Sequence, residues 1–282
     1  MNNLSPATSL NTAQQTVYRC PICHTALLKN NRSFNCEKNH GFDLAKEGYV
    51  NLLPVQFKQS KNPGDNKAMV NARRAFLEQG YYQPLVDKLV SLYQKYNQGQ
   101  GNFLDAGCGE GFYTHQHKTD NNRIFAVDIA KEAIKKAAKK YAQAEFSVAT
   151  LSQLPFADES FQWLLSIYAP ILEAEFTRVM SINGYLLTVT PANKHLFQLK
   201  SLIYQAAKEH DVEREPISHL TLIHQEQLTY TMTLAKGEDT LNLLSMTPFA
   251  FKASEAVKAE IAAQDNFECQ ADFLIKLYQK QN

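Results

Sequence analysis

The segment Asn102-Phe103-Leu104-Asp105-Ala106-Gly107-Cys108-Gly109-Glu110-Gly111 limits what this chain can become more than any other. A short apolar run ends in an acid, Asp105, and three glycines follow at alternate positions. A second apolar run, Ile124-Phe125-Ala126-Val127, ends in Asp128. This spacing predicts a nucleotide-type cofactor lying across the carboxyl ends of two neighbouring parallel strands. Glycine is needed where the backbone turns sharply and a ligand must come close. Asp128 is then placed to accept hydrogen bonds from ribose hydroxyls. The pattern is G-x-G-x-G, not the G-x-G-x-x-G of dinucleotide folds. A plain strand and turn with incidental glycines would not need Asp105, the glycines and Asp128 together.

A second constellation lies near the N-terminus. Cys20 and Cys23 are separated by two residues, and Cys36 and His40 by three. Two ligands on one tight knuckle and two on another is how a short segment reaches tetrahedral geometry around zinc. The segment is too small to bury a core of its own. Metal binding supplies the missing folding energy, on the order of 10–16 kcal/mol in model peptides. Four ligands leave no open coordination position, so the metal is expected to be structural. Free thiols or a redox pair are the competing readings. His24, adjacent to Cys23, is poorly placed to chelate with it. Cys269 stands apart and is read as a buried core thiol.

Organisation follows from these anchors. Residues 1–17, rich in Asn, Thr, Gln and Ser, read as a disordered tail without a secretory signal. Residues 18–53 form the zinc-binding module, and 54–98 a linker followed by helices over 68–78 and 84–96. From 99 to 282, strands over 102–106, 124–128, 145–148, 162–167 and 185–190 alternate with helices over 131–140 and 173–179. Such alternation predicts an α/β fold with a doubly wound, mostly parallel sheet. Strands over 228–235 and 267–278 are expected to form an antiparallel edge, with a helix over 240–245 between them. Residues 208–227 have weak periodicity and read as a loop on the active-site side. The 282 residues carry a net charge of +1, which gives no global nucleic-acid signal, and no apolar run approaches membrane-spanning length. Five cysteines without an export signal favour a reducing, cytoplasmic setting.

Several of these stretches carry a resemblance. The G-x-G-x-G loop resembles the first motif of class I S-adenosylmethionine methyltransferases. Cys-Pro-x-Cys together with the run from Cys36 through Gln56 resembles the RlmA-type guanine-N1 methyltransferases of 23S rRNA. Pro63-Gly64-Asp65, 72–77, 82–85, 154–156, 167–170, Thr190-Pro191 with His195-Leu196, and 246–249 extend the resemblance from about residue 19 to the C-terminus. The methyltransferase motifs are generic, whereas their pairing with this zinc module is specific. The resemblance implies a Rossmann-like class I methyltransferase fold with a small N-terminal zinc-binding module. It implies zinc on Cys20, Cys23, Cys36 and His40. It implies S-adenosylmethionine contacts from Tyr82, Gly109, Glu110 and His195, joining Asp105, Gly107, Gly111 and Asp128. It implies 23S rRNA as the partner and a homodimer. The chain departs from its relatives in the unmatched N-terminal tail and at Ala106, where Ile is common.

Methyl transfer from a sulfonium is chiefly a positioning task. A guanine in a hairpin loop must be presented out of its stack and must lose its N1 proton. Tyr168-Ala169-Pro170 follows the fourth strand, and Tyr168 is read as a platform for the target base. Glu110 and His195 are the nearest candidates for a general base, though both are better read as cofactor contacts. Lys58, Lys61, Lys67, Arg73 and Arg74 face only Asp65 over residues 58–74, a local patch able to neutralise RNA phosphates. A solvated helix face would give the same charge pattern. The lysines of 131–140 read as the solvated side of a sheet-packing helix. Two other functions fit less well: a methyltransferase for a small molecule such as a phenol, and a non-catalytic RNA-binding zinc protein.

Overall fold

The central strands are apolar at consecutive positions, so a sheet built from them must be covered on both faces. The computed structural model, which describes residues 14–57, 64, 66–204, 207–210 and 217–281, shows how. Strands β1 (Gln14–Arg19), β2 (Ala26–Asn30), β3 (Ser33–Asn35) and β4 (Gly41–Asp43) form a small antiparallel sheet in that order. Strand β5 (Val50–Asn51) leaves this module and joins a larger sheet. Helices α1 (Lys67–Glu78) and α2 (Gln83–Asn97) follow. The alternating part then runs β6 (Gly101–Ala106), α3 (Phe112–Gln116), β7 (Asn122–Asp128), α4 (Lys131–Lys140) and β8 (Ala144–Val148). It continues through β9 (Phe161–Ile167), α5 (Glu173–Val179), β10 (Met180–Pro191) and α6 (Phe197–Ile203). Strand β11 (Leu220–Leu234), α7 (Gly237–Ser245), α8 (Glu255–Ala263) and β12 (Phe267–Lys280) complete the chain.

The large sheet has the order β11-β12-β10-β9-β6-β7-β8-β5. Strand β12 runs antiparallel to both β10 and β11, and the other neighbouring pairs are parallel. Strand order reverses between β6 and β9, which opens a crevice at their carboxyl ends. Alternate residues feed two cores. Phe103, Trp163, Leu165 and Leu187 meet Phe76, Leu85, Leu89 and Tyr93 of α1 and α2. Leu104, Phe125, Leu164 and Leu186 meet Phe176 of α5 and Tyr18 and Phe34 of the small sheet. Helix α4 buries Ala133, Ile134, Ala137 and Ala138 and leaves its lysine side to solvent, as its spacing predicts.

Several boundaries differ from the sequence reading. Strand β1 begins at Gln14, inside the segment read as tail, while residues 1–13 lie outside the described residues. Helices α1 and α2 share the sheet's core instead of forming a separate linker segment. Residues 220–227, expected to be loop, are the first half of β11. That stretch is exposed or half-buried along an edge, so it carries no apolar alternation to reveal it. Helices α3, α6 and α8 add to the elements that the sequence pattern predicts; α3 and α6 are only about two turns or less, too short for a periodic signal.

Candidate cofactor cleft and zinc centre

The zinc ligands converge first through backbone geometry. His24 and Asn39 adopt positive φ of 62° and 61°, which closes one knuckle after Cys23 and another after Cys36. The Cys20 N–H donates to Thr25 O at 2.8 Å, and the Asn39 N–H to Cys36 O at 3.0 Å. The ligand atoms of Cys20, Cys23, Cys36 and His40 all lie within 4.8 Å of one another. Cys23 Sγ and Cys36 Sγ are 3.6 Å apart, and His40 Nδ1 is 3.5 Å from Cys20 Sγ and 3.4 Å from Cys36 Sγ. A tetrahedron of zinc–sulfur bonds near 2.3 Å has edges of about 3.8 Å, so the four atoms fit zinc and no disulfide. His24 is outside the cluster; its ring sits beside Gln153 Nε2 at 3.3 Å.

The module is welded to the large sheet. The Tyr18 ring, 1% exposed, stacks on Phe156 at 5.1 Å and meets Phe34 and Phe125 edge-on at 5.3 and 5.8 Å. Arg19 N–H donates to Pro155 O, and Ala157 N–H to Val17 O, both at 2.9 Å. Strand β5 pairs in parallel with β8, Val50 opposite Ser147 and Asn51 opposite Val148.

At the carboxyl ends of β6, β7 and β9 lies a cleft of about 990 Å³. Its wall includes Tyr82, Asp105, Gly107, Glu110, Asp128 and His195, brought together from four separate stretches of chain. Gly107 has φ 86°, and a Cβ there would lie 2.6 Å from the Ala169 Cβ. The loop is drawn over β7 by Gly107 and Cys108 N–H groups that donate to Val127 O at 2.9 and 3.0 Å. Asp128 braces it further: Oδ2 accepts from Gly109 N–H at 2.9 Å and Oδ1 from Ala130 N–H at 2.7 Å. A carboxylate has about four lone-pair sites, so it can accept from hydroxyls as well as from backbone N–H groups. Asp105 is buried, and loss of hydration raises its carboxyl to about 7 despite the Thr114 hydroxyl that donates to it at 2.6 Å.

Glu110 is buried and forms an ion pair with Arg74 at 3.0 Å. Burial still raises its carboxyl above the usual range. Arg74, read as a phosphate contact, is therefore engaged by the glycine loop. Arg73 lines the cleft itself. Lys58 and Lys61 lie outside the described residues. Tyr82 is buried with its ring against Phe76 and Phe273 at 5.0 and 5.1 Å.

His195 is also buried, and its two ring nitrogens are both committed. Nδ1 accepts from Asp272 N–H at 3.1 Å, and Nε2 lies 3.0 Å from the Tyr168 hydroxyl. Burial, reinforced by nearby His210, lowers the ring to about 3. Neither His195 nor the paired Glu110 is available as a free base. Tyr168 is 45% exposed in the cleft wall and holds φ 55°, a costly conformation for a bulky residue. Phe249, Phe251 and the Leu151-Ser152 turn also line the cleft and escaped the sequence reading. The turn's position just past β8 was the available signal; Phe249 lies in the 246–249 run that carries the resemblance, and Phe251 had no signal.

The cleft suits a nucleoside-bearing donor. Its glycine loop leaves room where a side chain would collide, and the Asp105 and Asp128 carboxylates stand beside that loop. A family model described as a methyltransferase domain matches residues 103–185, and one described as RlmA, N-terminal, matches residues 18–61. A 23S rRNA (guanine(748)-N(1))-methyltransferase of Streptomyces fradiae is 31% identical over 226 residues, covering 77% of this chain and 79% of its own. A Bacillus subtilis (strain 168) protein assigned provisionally to the same 23S rRNA guanine-N1 class is 29% identical over 263 residues, covering 86% and 89%. A malonyl-(acyl-carrier protein) O-methyltransferase of Hamiltonella defensa is 30% identical over 118 residues, only 39% of this chain and 46% of its own.

Proposed function

The chain belongs to the RlmA-type family of 23S rRNA (guanine-N1)-methyltransferases, and from that premise we propose that it methylates N1 of a guanine in a hairpin loop of 23S rRNA. It is an S-adenosylmethionine-dependent methyltransferase with a structural zinc site. The observation that carries the RNA substrate is the union of a three-cysteine, one-histidine ribbon with a methyltransferase cleft in one continuous core. A small-molecule methyltransferase has no use for that ribbon, and the partial match to the acyl-carrier enzyme stops short of covering both parts.

When bound, S-adenosylmethionine supplies an electrophilic methyl group on a sulfonium. Asp128 would hold its ribose hydroxyls, and the Gly107–Gly111 loop with Asp105, Tyr82 and Glu110 would shape the methionine end. Tyr168 stands where the target base must meet the donor, and Arg73 at the cleft wall pairs with RNA phosphate. The zinc module reads the RNA hairpin. No described helix is long and apolar enough to cross a membrane. A ribosomal RNA substrate supports a cytoplasmic enzyme. The resemblance further implies a homodimer, which sedimentation velocity tests.

Labelled methyl transfer to rRNA from a strain lacking the enzyme, followed by mass spectrometry of the digested RNA, tests the function. N1-methylguanine at one site is the expected product. Label entering only small metabolites would overturn the reading.

A further inference from the structure

His195 leaves the location of one proton without freedom. Its Nδ1 accepts the Asp272 N–H at 3.1 Å and so carries no hydrogen. A neutral imidazole then bears its proton on Nε2, the nitrogen 3.0 Å from the Tyr168 Oη. Nε2–H therefore donates, and Tyr168 Oη accepts. The same Asp272 is fixed on its other side: Oδ2 accepts from Lys194 N–H, and Oδ1 from Gln227 Nε2 and the Thr229 hydroxyl. The ring cannot turn over without leaving the Asp272 N–H unpaired in the interior, where Asp272 is 1% exposed.

The consequence falls on Tyr168. Its hydroxyl has accepted from His195, so its own proton must be donated elsewhere. Tyr168 lies in the cleft wall beside Gly107, Pro191 and His195, with nearly half its surface open. Its backbone is pinned in the left-handed region by an N–H donating to Val189 O at 3.0 Å. A strained residue held at the end of a strand, with its hydroxyl orientation dictated by a buried histidine, is a preorganised hydrogen-bond donor.

We propose that the Tyr168 hydroxyl, oriented by the Nε2–H tautomer of His195, donates a hydrogen bond to the carbonyl oxygen O6 of the target guanine and stabilises the negative charge that gathers there as N1 loses its proton. This rests on the guanine-N1 reading given above. In the step, the N1–H proton leaves to solvent, N1 forms the bond to the methyl carbon, and the sulfonium sulfur takes back the electron pair of the broken C–S bond. O6 gains no bond; it shares the charge while N1 is deprotonated. A ring stacked on the base cannot also aim its hydroxyl at that base's edge, so this assignment replaces the platform role with an edge contact.

The test uses the full-length, zinc-loaded enzyme and unmethylated 23S rRNA. Tyr168→Phe keeps the ring and removes only the hydroxyl. The single-turnover rate should fall on the order of 100-fold, with S-adenosylmethionine and RNA affinities unchanged within about twofold of wild type. The rising limb of the pH–rate profile should move to higher pH, because N1 is then harder to ionise. With 6-thioguanine, a poor acceptor, at the methylated position, the Phe variant and wild type should react at nearly equal rates. A wild-type rate and pH profile in Tyr168→Phe, with N1-methylguanine still formed, would overturn the proposal and leave the function standing. A defect expressed only as weaker cofactor binding would overturn it too, by assigning the hydroxyl to the cofactor. If wild type itself binds S-adenosylmethionine yet makes no N1-methylguanine, the functional reading fails first.

Discussion

Asp105 shows how a single buried carboxyl makes stability depend on pH. Its ordinary value of 3.8 is raised to about 7 in the folded chain, chiefly by burial. Between those values the folded state holds a proton that the unfolded state has released. Stability therefore falls as pH rises through that window and levels off above about 7. Asp105→Asn should accordingly be more heat-stable than wild type at pH 8, by a few kcal/mol at about 1.4 kcal/mol per unit. The advantage should vanish near pH 4, and cofactor affinity measured by calorimetry should fall. His117 works in the opposite sense. It is buried with Nδ1 2.8 Å from Tyr113 O, and burial lowers its ring to about 4. Below 6.5 the unfolded chain takes up a proton that the folded chain refuses, so this residue costs stability as pH falls from 6.5 to 4. Gly107→Ala meets both a left-handed backbone and a 2.6 Å approach to Ala169. It should lower stability by about 1–3 kcal/mol and abolish measurable binding of S-adenosylhomocysteine in calorimetry.

At the scale of elements, the zinc ribbon is a structural layer of the methyltransferase. Its Tyr18 and Phe34 cover one face of the large sheet, and β5 supplies that sheet's last strand. Loss of zinc should thus spread into the sheet. Cys36→Ser, or treatment with a strong chelator, should lower the melting temperature of the whole protein in one calorimetric transition. Two transitions, with the cofactor-binding half unmoved, would show the ribbon to be an independent unit. The helix α1 carries a similar double duty. Its Phe76 and Leu77 are buried in the core, its Arg74 reaches Glu110 in the glycine loop, and its Arg73 faces the cleft. The two arginines should part company on substitution. Arg73→Ala should weaken RNA binding and reduce the log–log salt slope by about 0.7–0.9. Arg74→Ala should leave the slope unchanged and weaken cofactor binding, because Glu110 would be left buried without its partner.

Across the whole molecule, the cleft exists because the chain visits one sheet end repeatedly. Asp105 and Asp128 lie at the ends of adjacent parallel strands, Tyr168 directly follows a third, and His195 arrives after a fourth. The hairpin strand β12, inserted antiparallel between β10 and β11, brings the Asp272 N–H to His195 Nδ1. Residues 77 apart in sequence thereby set the tautomer of the imidazole.

Local chemistry made much of this legible without coordinates. Knuckle spacing exposes the zinc ligands, because chelation needs two donors on each tight turn. The acid–glycine loop and Asp128 expose the cofactor end of the sheet, because close backbone approach demands glycine. Apolar runs expose β6, β7 and β9, because buried strands must be apolar on both sides. Tertiary structure alone decided the rest. Nothing within the ribbon announces that β5 will cross to β8, since a two-residue strand has no period. Nothing around Arg74 announces Glu110, since an ion pair depends on two surfaces meeting. The direction of the Tyr168 proton depends on a backbone N–H contributed by a strand at the far end of the chain, and only folding brings that donor within reach.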